Sequence, residues 1–185
     1  PVPYQITYTT TLSASEEMSD VKNSATITYT GGEQTAYKMI NKPTLGVSKQ
    51  ATNLDKEAEN PVISWQINAN TDASNHYVNL VDAVVSDTIP AVQRLLADTI
   101  QVTRADGGSV GTYDVTTDTN SFSINLPNGP YEYVVTFDTE ILEFPSAHAT
   151  QIDRYTNTTT LTNTGYDPVS HDAYQDYFGG GDTGL

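Results

Sequence analysis

The sequence predicts an all-β protein, and three features of its 185 residues support that fold class. Threonine occurs 28 times, beside 12 tyrosines and many valines and isoleucines, which are the residue types that suit half-buried pleated strands. Short runs of alternating apolar and polar residues recur along the chain between turn-forming residues, a pattern typical of a β-sandwich. Helical periodicity is scarce.

Nine strands are predicted from this alternation, and two of them show it most clearly. In the predicted strand 61–69, the inward-facing residues are Ile63, Trp65 and Ile67. In 131–142, they are Tyr133, Val135, Phe137 and Ile141. The residues between them are mostly polar, as expected for strands that bury one face. The nine predicted strands are 4–11, 23–30, 44–51, 61–69, 79–89, 99–104, 120–126, 131–142 and 154–163.

Three segments depart from the strand pattern. "PAVQRLLAD" (90–98) begins with a proline at a plausible first-turn position and is predicted to form two helical turns. "SASEEMSDVK" (13–22) is a weaker helix candidate, and a solvated acidic loop is the favoured interpretation. "DVTTDTN" (114–120) offers oxygen ligands but lacks the glycine and final glutamate of a calcium loop, so a turn is predicted there.

Charge and composition exclude several classes of function. Eight Lys and Arg residues stand against 23 Asp and Glu, a formal net charge of −15, which disfavours binding to nucleic acid or to an anionic membrane. There is no cysteine, so disulfides and thiolate metal sites are impossible. The three histidines, His76, His148 and His171, show no metal-ligand spacing. No apolar run approaches the length of a membrane span. No cofactor is predicted.

The chain contains an internal repeat, in which two strands near the end resemble two strands at the start. "DRYTNTTTLTNTG" (153–165) resembles "SDVKNSATITYTG" (19–31), and "YVVTFDTEI" (133–141) resembles "YQITYTTTL" (4–12). The alternative is that threonine-rich strands resemble one another by chance. Two consecutive matching strands instead favour a tandem array. The predicted organisation is the C-terminal strands of one repeat in 1–40, a complete domain in 41–178 and a glycine-rich linker in 179–185, where the "DTG" triplet is taken as linker.

Alternation also places three polar residues on the apolar faces of their strands. Lys49, Asp87 and Asn157 each lie in phase with apolar neighbours, so each is predicted to point inward. The neighbours in phase are Leu45, Val47 and Ala51 for the lysine, Val81, Ala83, Val85 and Ile89 for the aspartate, and Tyr155, Thr159 and Leu161 for the asparagine. Burying any one of the three alone costs several kcal/mol, so the three are expected to lie together.

Together, these three side chains have a specific chemistry. Burial lowers the pKa of a lysine, which favours a neutral nucleophilic amine, and raises the pKa of an aspartate, which favours a protonated acid. Such an acid, aimed at the carboxamide oxygen of Asn157, would stabilise the oxyanion and assist the loss of ammonia. The predicted product is an intramolecular isopeptide bond between Lys49 and Asn157.

Each residue also has a simpler explanation. Lys49 can lie on an edge strand with its amine reaching solvent, and Asp87 can cap the helix predicted after Pro90. Asn157 begins an "NTT" sequon and would be exposed if it carried a glycan. Asn23 occupies the matching place in the partial repeat, but its Lys and Asp partners would precede residue 1, so we expect it to remain unbonded.

The order of these motifs resembles the collagen-adhesin-type domains of Gram-positive surface proteins and pilins. The resemblance rests on a Lys on the first strand, Asp87 in "VSDTIP", Asn157 in "YTNTTTL", and the strands "ISWQINAN" and "YEYVVTFDTEI". It covers about residues 41–165 and the partial copy in 1–40. It implies an immunoglobulin-like sandwich in which Lys49 is the nucleophile, Asn157 the acceptor and Asp87 the assisting acid. A sortase signal and a recognisable pilin motif are missing from the sequence.

The expected function is therefore structural: a stalk or adhesin module on a bacterial cell surface, with neighbouring repeats as partners and a cross-link between its first and last strands. The alternative is a ligand-binding module, for which the resemblance implies a host matrix protein or glycan. An enzyme with turnover is not expected, because the isopeptide bond forms once per molecule and no second nucleophile and base pair is evident.

Overall fold

The computed structural model describes residues 5, 7, 21–40, 43–71, 77–143 and 152–178. All regular secondary structure within these residues is β-strand, so the all-β prediction is confirmed. The chain divides into two compact units, Pro1–Lys42 and Pro43–Leu185. Over the same ranges, no helix has the length and hydrophobicity needed to span a membrane.

The first unit contains an antiparallel hairpin of β1 (Val21–Tyr29) and β2 (Gly32–Ile40). Its strands are joined by a two-residue turn in which Gly31 has a φ of 113°, a conformation that glycine adopts without a steric penalty. The hydroxyls of Thr26 and Thr35, which lie opposite each other, are 2.7 Å apart and hydrogen-bonded. This threonine pair helps to hold the register of the hairpin.

The second unit contains two antiparallel sheets that pack face to face. Its strands are β3 (Val47–Asp55), β4 (Val62–Ala69), β5 (Val84–Thr88), β6 (Gln93–Arg104), β7 (Asp114–Asp118), β8 (Ser121–Asn125), β9 (Tyr133–Ile141), β10 (Ile152–Asn163) and β11 (Tyr166–Phe178). One sheet has the order β3-β4-β9-β6 and the other the order β11-β10-β5-β8-β7.

The core lies between these two sheets and is built by the predicted alternation. Ile63, Trp65 and Ile67 of β4 are fully buried, and so are the inward residues predicted for β9. Phe122 of one sheet meets Phe137 of the other with ring centroids 4.9 Å apart in an edge-to-face arrangement, a favourable geometry for aromatic pairs. The sheets are therefore the two layers of a sandwich around one core.

The helix predicted for 90–98 is wrong, because those residues enter strand β6. Pro90 starts a turn, in which its carbonyl oxygen accepts a hydrogen bond from the Gln93 amide at 2.9 Å. Gln93 and Leu95 are then buried while Arg94 between them is exposed, which is the alternation of a strand. Pairing of this segment with β9 outweighs the weak helix preference of a short leucine-containing run.

Three strands had no counterpart in the predicted set, and in each the apolar pattern is weak. The turn predicted for 114–120 is wrong: its first five residues form β7, a fully exposed edge strand in which Val115 is the single apolar residue. β2 and β11 were also missed. β11 contains Pro168 beside a register shift, and proline is tolerated in such an edge strand because no ladder hydrogen bond is lost.

Several sequence predictions fall on residues that the structure does not describe. The strand 4–11, except for positions 5 and 7, and the linker 179–185 lie outside the described residues. Within 13–22, only the last two residues are described, and they belong to β1. In the predicted repeat, β1 and β10 each continue through a Thr-Gly turn into the next antiparallel strand, with a positive φ at Gly31 and at Gly165.

Candidate functional site

Lys49, Asp87 and Asn157 lie on three strands that meet at one place in the core. β3, which carries Lys49, is an edge strand of one sheet, whereas β5 and β10 are neighbours in the other. Asp87 lies opposite Thr159 in the β5–β10 ladder, and Asn157 is two residues further along the same face of β10. The three residues are only 4%, 2% and 1% exposed, so all three point inward as predicted.

Lys49 and Asp87 form a buried ion pair that bridges the two sheets. Lys49 Nζ donates a hydrogen bond to Asp87 Oδ2, and neither side chain is accessible to solvent. The same Nζ lies 5.2 Å from the centroid of the Trp65 ring and 5.0 Å from that of Phe137. These aromatic rings exclude water from the amine and confine it to the side facing Asp87.

Burial brings the pKa values of the two groups towards each other. Desolvation lowers the pKa of Lys49 from 10.5 to about 8, although the nearby Asp87 carboxylate opposes this shift. Desolvation likewise raises the pKa of Asp87 from 3.8 to about 6, opposed by Lys49. Because burial brings the two pKa values together, moving the proton from the ammonium to the carboxylate costs much less free energy than it does for the same two groups in water. A neutral amine beside a protonated acid is therefore thermally accessible.

The carboxamide of Asn157 is buried in this site without a hydrogen bond. Neither Oδ1 nor Nδ2 has a partner among the described residues, and Asp87 Oδ1 also lacks one. The amide nevertheless lies close enough to Asp87 to lower the pKa of that carboxyl. Most buried polar groups in native proteins are paired, so an unpaired amide beside an amine and an acid requires an explanation.

The simpler explanations for the three residues do not fit this geometry. Lys49 lies on an edge strand, but its amine points into the core instead of reaching solvent. Asp87 lies within β5, and no helix follows it in the described residues. Asn157 is buried, so its side chain has no room for a glycan. Asn23, at the matching place in β1, is exposed.

One residue beside the site was not identified from the sequence. His171 of β11 accepts a hydrogen bond at its Nδ1 from the backbone amide of Lys49, with 3.3 Å between the nitrogens. This contact ties the edge of β3 to the last strand of the opposite sheet. No group of three potential metal ligands is found in the described ranges, and His76 and His148 lie outside them. Recognising His171 required the position of β11, which has little apolar alternation.

The chain matches one protein-family model and no curated sequence. The family model is described as "Collagen binding domain" and matches residues 47–172, from the start of β3 into β11. The match spans all three strands that carry Lys49, Asp87 and Asn157. None of the curated proteins gives a significant match.

Solved structures with a similar fold come from Gram-positive surface proteins. The full-length RrgB pilus protein from Streptococcus pneumoniae has a TM-score of 0.50 and 14% identity, with 70% of this chain and 24% of that chain covered. The collagen-binding subdomain of the Enterococcus faecalis surface protein ACE has a TM-score of 0.45 and 12% identity, with 74% of this chain and 99% of that chain covered. BcpA, the major pilin subunit of Bacillus cereus, has a TM-score of 0.46 and 12% identity, with 84% of this chain and 47% of that chain covered.

Proposed function

Because the chain belongs to the collagen-binding domain family, we propose that it is a structural module of a Gram-positive surface adhesin or pilus, stapled by a self-formed isopeptide bond between Lys49 and Asn157. It works outside the cell, next to further repeats of the same protein. The observation that carries the proposal is the unpaired, buried Asn157 amide beside the Lys49–Asp87 pair.

The proposed reaction begins with transfer of a proton from Lys49 to Asp87 inside their hydrogen bond. The neutral Nζ attacks Cγ of Asn157, while the protonated Asp87 donates a hydrogen bond to Oδ1 and stabilises the oxyanion. The proton that Nζ loses then passes through Asp87 to Nδ2, which departs as ammonia. One C–N bond forms and one C–N bond breaks, and Asp87 keeps the proton that it first took from Lys49, so it ends as the neutral acid.

Completion of this reaction accounts for the unpaired polar atoms of the site. Nδ2 of Asn157 leaves as ammonia, and the remaining carbonyl oxygen can accept a hydrogen bond from Asp87. The buried ammonium charge disappears when the amine becomes an amide, so the electrostatic cost of burial falls as well. Formation of the bond thus relieves each unfavourable feature that burial of the three residues creates.

The position of the bond differs in one respect from the sequence prediction. Asn157 lies on β10, and β11 follows it, so the bond links the first strand of the sandwich to the penultimate one. Tension applied along the chain would bypass the 107 residues that lie between Lys49 and Asn157. β11 remains outside the covalent loop and is held by strand pairing with β10 and by the hydrogen bond from the Lys49 backbone amide to His171.

The intact mass of the purified chain tests the proposal. We expect the wild-type mass to be lower than the sequence mass by one ammonia, and the deficit to vanish in Lys49→Ala and Asn157→Ala. Asn23→Ala provides the matched control, because it removes the corresponding asparagine of the partial repeat and should leave the deficit unchanged. A wild-type mass equal to that of the sequence would refute the bond.

The pH dependence of stability in Asn157→Ala is a second test, because this variant keeps the ion pair but cannot react. The raised pKa of Asp87 means that the folded state holds its proton more tightly than the unfolded state. The free energy of unfolding should therefore fall between about pH 4 and pH 6, where only the folded state binds that proton. The lowered pKa of Lys49 means that the unfolded state holds that proton more tightly, so the free energy of unfolding should rise again between about pH 8 and pH 10.5.

Each change should amount to about 3 kcal/mol, as measured by urea unfolding across the pH range. Adding Lys49→Ala to this variant should abolish the alkaline rise, since no buried amine remains to lose its proton. A flat alkaline profile in Asn157→Ala itself would mean that Lys49 is not a buried ammonium in the unreacted chain.

The family membership also favours a second function, the binding of collagen by the exposed surface of this module. Surface plasmon resonance with immobilised triple-helical collagen tests it, with a heat-denatured collagen surface as the control. Saturable binding to the triple helix alone is expected if the module is adhesive. Equal responses on both surfaces, or no response, would leave the stalk function as the sole proposal.

A further inference from the structure

A chain of buried hydrogen bonds crosses the inner face of the sheet that carries Lys49. The indole Nε1 of Trp65 donates to Thr139 Oγ1 at 2.9 Å, and the hydroxyl of Thr139 donates in turn to Gln93 Oε1 at 2.7 Å. All three residues are fully buried, and they lie on β4, β9 and β6, three adjacent strands. This series of hydrogen bonds leads away from the reacting groups, and no step of the proposed reaction uses it.

The first residue of this hydrogen-bond chain touches the reacting amine. The Trp65 ring centroid is 5.2 Å from Lys49 Nζ, so the orientation of the indole helps to define where Nζ can lie. Trp65 has one polar atom, its Nε1–H, and Thr139 is the acceptor that the structure provides for it. Loss of that acceptor leaves a buried donor unpaired, which favours reorientation of the ring.

We propose that Thr139 and Gln93 are positioning residues for isopeptide formation: they fix the Trp65 indole, which in turn aims Lys49 Nζ at Asn157. The inference rests on the proposed function, because it assigns residues to the same reaction. Among the described residues, the hydrogen bonds of the Thr139 hydroxyl and of Gln93 Oε1 are with Trp65 and with each other, and none goes to a reacting group. Their effect therefore falls on the rate at which the bond forms, since small errors in the placement of reacting groups slow a reaction strongly.

Two substitutions at Thr139 separate this role from simple packing. Thr139→Val keeps the branched shape of the side chain and removes the hydroxyl, whereas Thr139→Ser keeps the hydroxyl and removes a methyl group. Positioning predicts slow bond formation in the valine variant and rescue in the serine variant, whereas packing predicts the reverse order. Gln93→Leu removes the acceptor of the Thr139 hydroxyl, one hydrogen bond further from Lys49. As a control, Thr136→Val makes the same chemical change as Thr139→Val on the opposite face of β9.

The rate is measured after cell-free synthesis of the full chain, by stopping translation and following the loss of ammonia in the intact mass over time. We expect Thr139→Val to react about 10-fold more slowly than wild type, with Thr139→Ser and Thr136→Val within about 2-fold of it. Trp65 is the single tryptophan, so its indole N–H resonance identifies the folded state and should shift in Thr139→Val and in Gln93→Leu.

Three results would overturn the inference. One is a wild-type rate in a folded Thr139→Val chain, and another is a Thr139→Ser chain as slow as the valine variant. If Thr139→Val does not fold, a wild-type rate in Gln93→Leu with a shifted indole resonance is the third. A wild-type chain that never loses ammonia would instead show that the proposed function itself has failed.

Discussion

Asn157→Ala is expected to lower the melting temperature of the second unit by about 10–20 °C relative to the cross-linked wild type. The substitution removes the acceptor while leaving the Lys49–Asp87 pair in place, so the main loss is the covalent bond. Closing a loop of 108 residue positions is worth about 4–5 kcal/mol, by analogy with a disulfide that constrains the unfolded chain.

Differential scanning calorimetry of the two proteins at equal concentration measures this difference. Asn23→Ala is the control, because the same change in the first unit leaves the proposed bond intact. Melting temperatures of wild type and Asn157→Ala that agree within about 2 °C would show that no covalent loop stabilises the sandwich. A mass deficit in the wild type combined with that agreement would show that the bond forms but adds no stability.

Asp87→Asn is expected to slow formation of the bond by about 10²–10⁴-fold, the usual contribution of a positioned proton donor and acceptor. The asparagine has nearly the same shape as Asp87, but it can neither take the proton of Lys49 nor return one to the leaving ammonia. It also leaves the buried amine without its counter-charge, which favours the neutral form. A fast reaction in this variant would therefore mean that deprotonation of Lys49 is sufficient.

The matched control for this substitution is Asp172→Asn. Asp172 is an exposed carboxylate of β11 that also raises the pKa of Lys49, but through space and without a hydrogen bond to it. Its loss should change the rate by less than about 2-fold, because solvent screens its charge. A slow reaction in Asp172→Asn, with a normal rate in Asp87→Asn, would exchange the roles assigned to the two carboxylates.

The inward position of the three site residues could be predicted because strand alternation has a fixed period. Lys49, Asp87 and Asn157 each share a face with apolar neighbours, and a side-chain period of two leaves no other orientation once the strand is correct. The resemblance to collagen-adhesin-type domains is likewise confirmed by the family match over residues 47–172. The bond and the roles of the three residues remain predictions.

The errors have a common physical origin, which is that tertiary pairing can form a strand without an alternating pattern. β7 is exposed along its whole length and needs no apolar face. The inward face of β11 is only weakly apolar, with Ala173 buried and Val169 and Tyr177 partly buried against the core. β6 shows the opposite case, in which the apolar content of 90–98 was recognised but its period was mistaken for that of a helix. His171 and the Trp65–Thr139–Gln93 chain depend on the positions of these strands, so they required the structure.

A tryptic digest of the wild-type chain, analysed by tandem mass spectrometry, tests the proposed bond most directly. The bond blocks cleavage after Lys49, so we predict a branched product in which residues 39–56 are joined to residues 155–185 with the loss of one ammonia. Fragmentation should place the junction between Lys49 and Asn157. Recovery of 39–49, 50–56 and 155–185 as separate linear peptides would contradict the account.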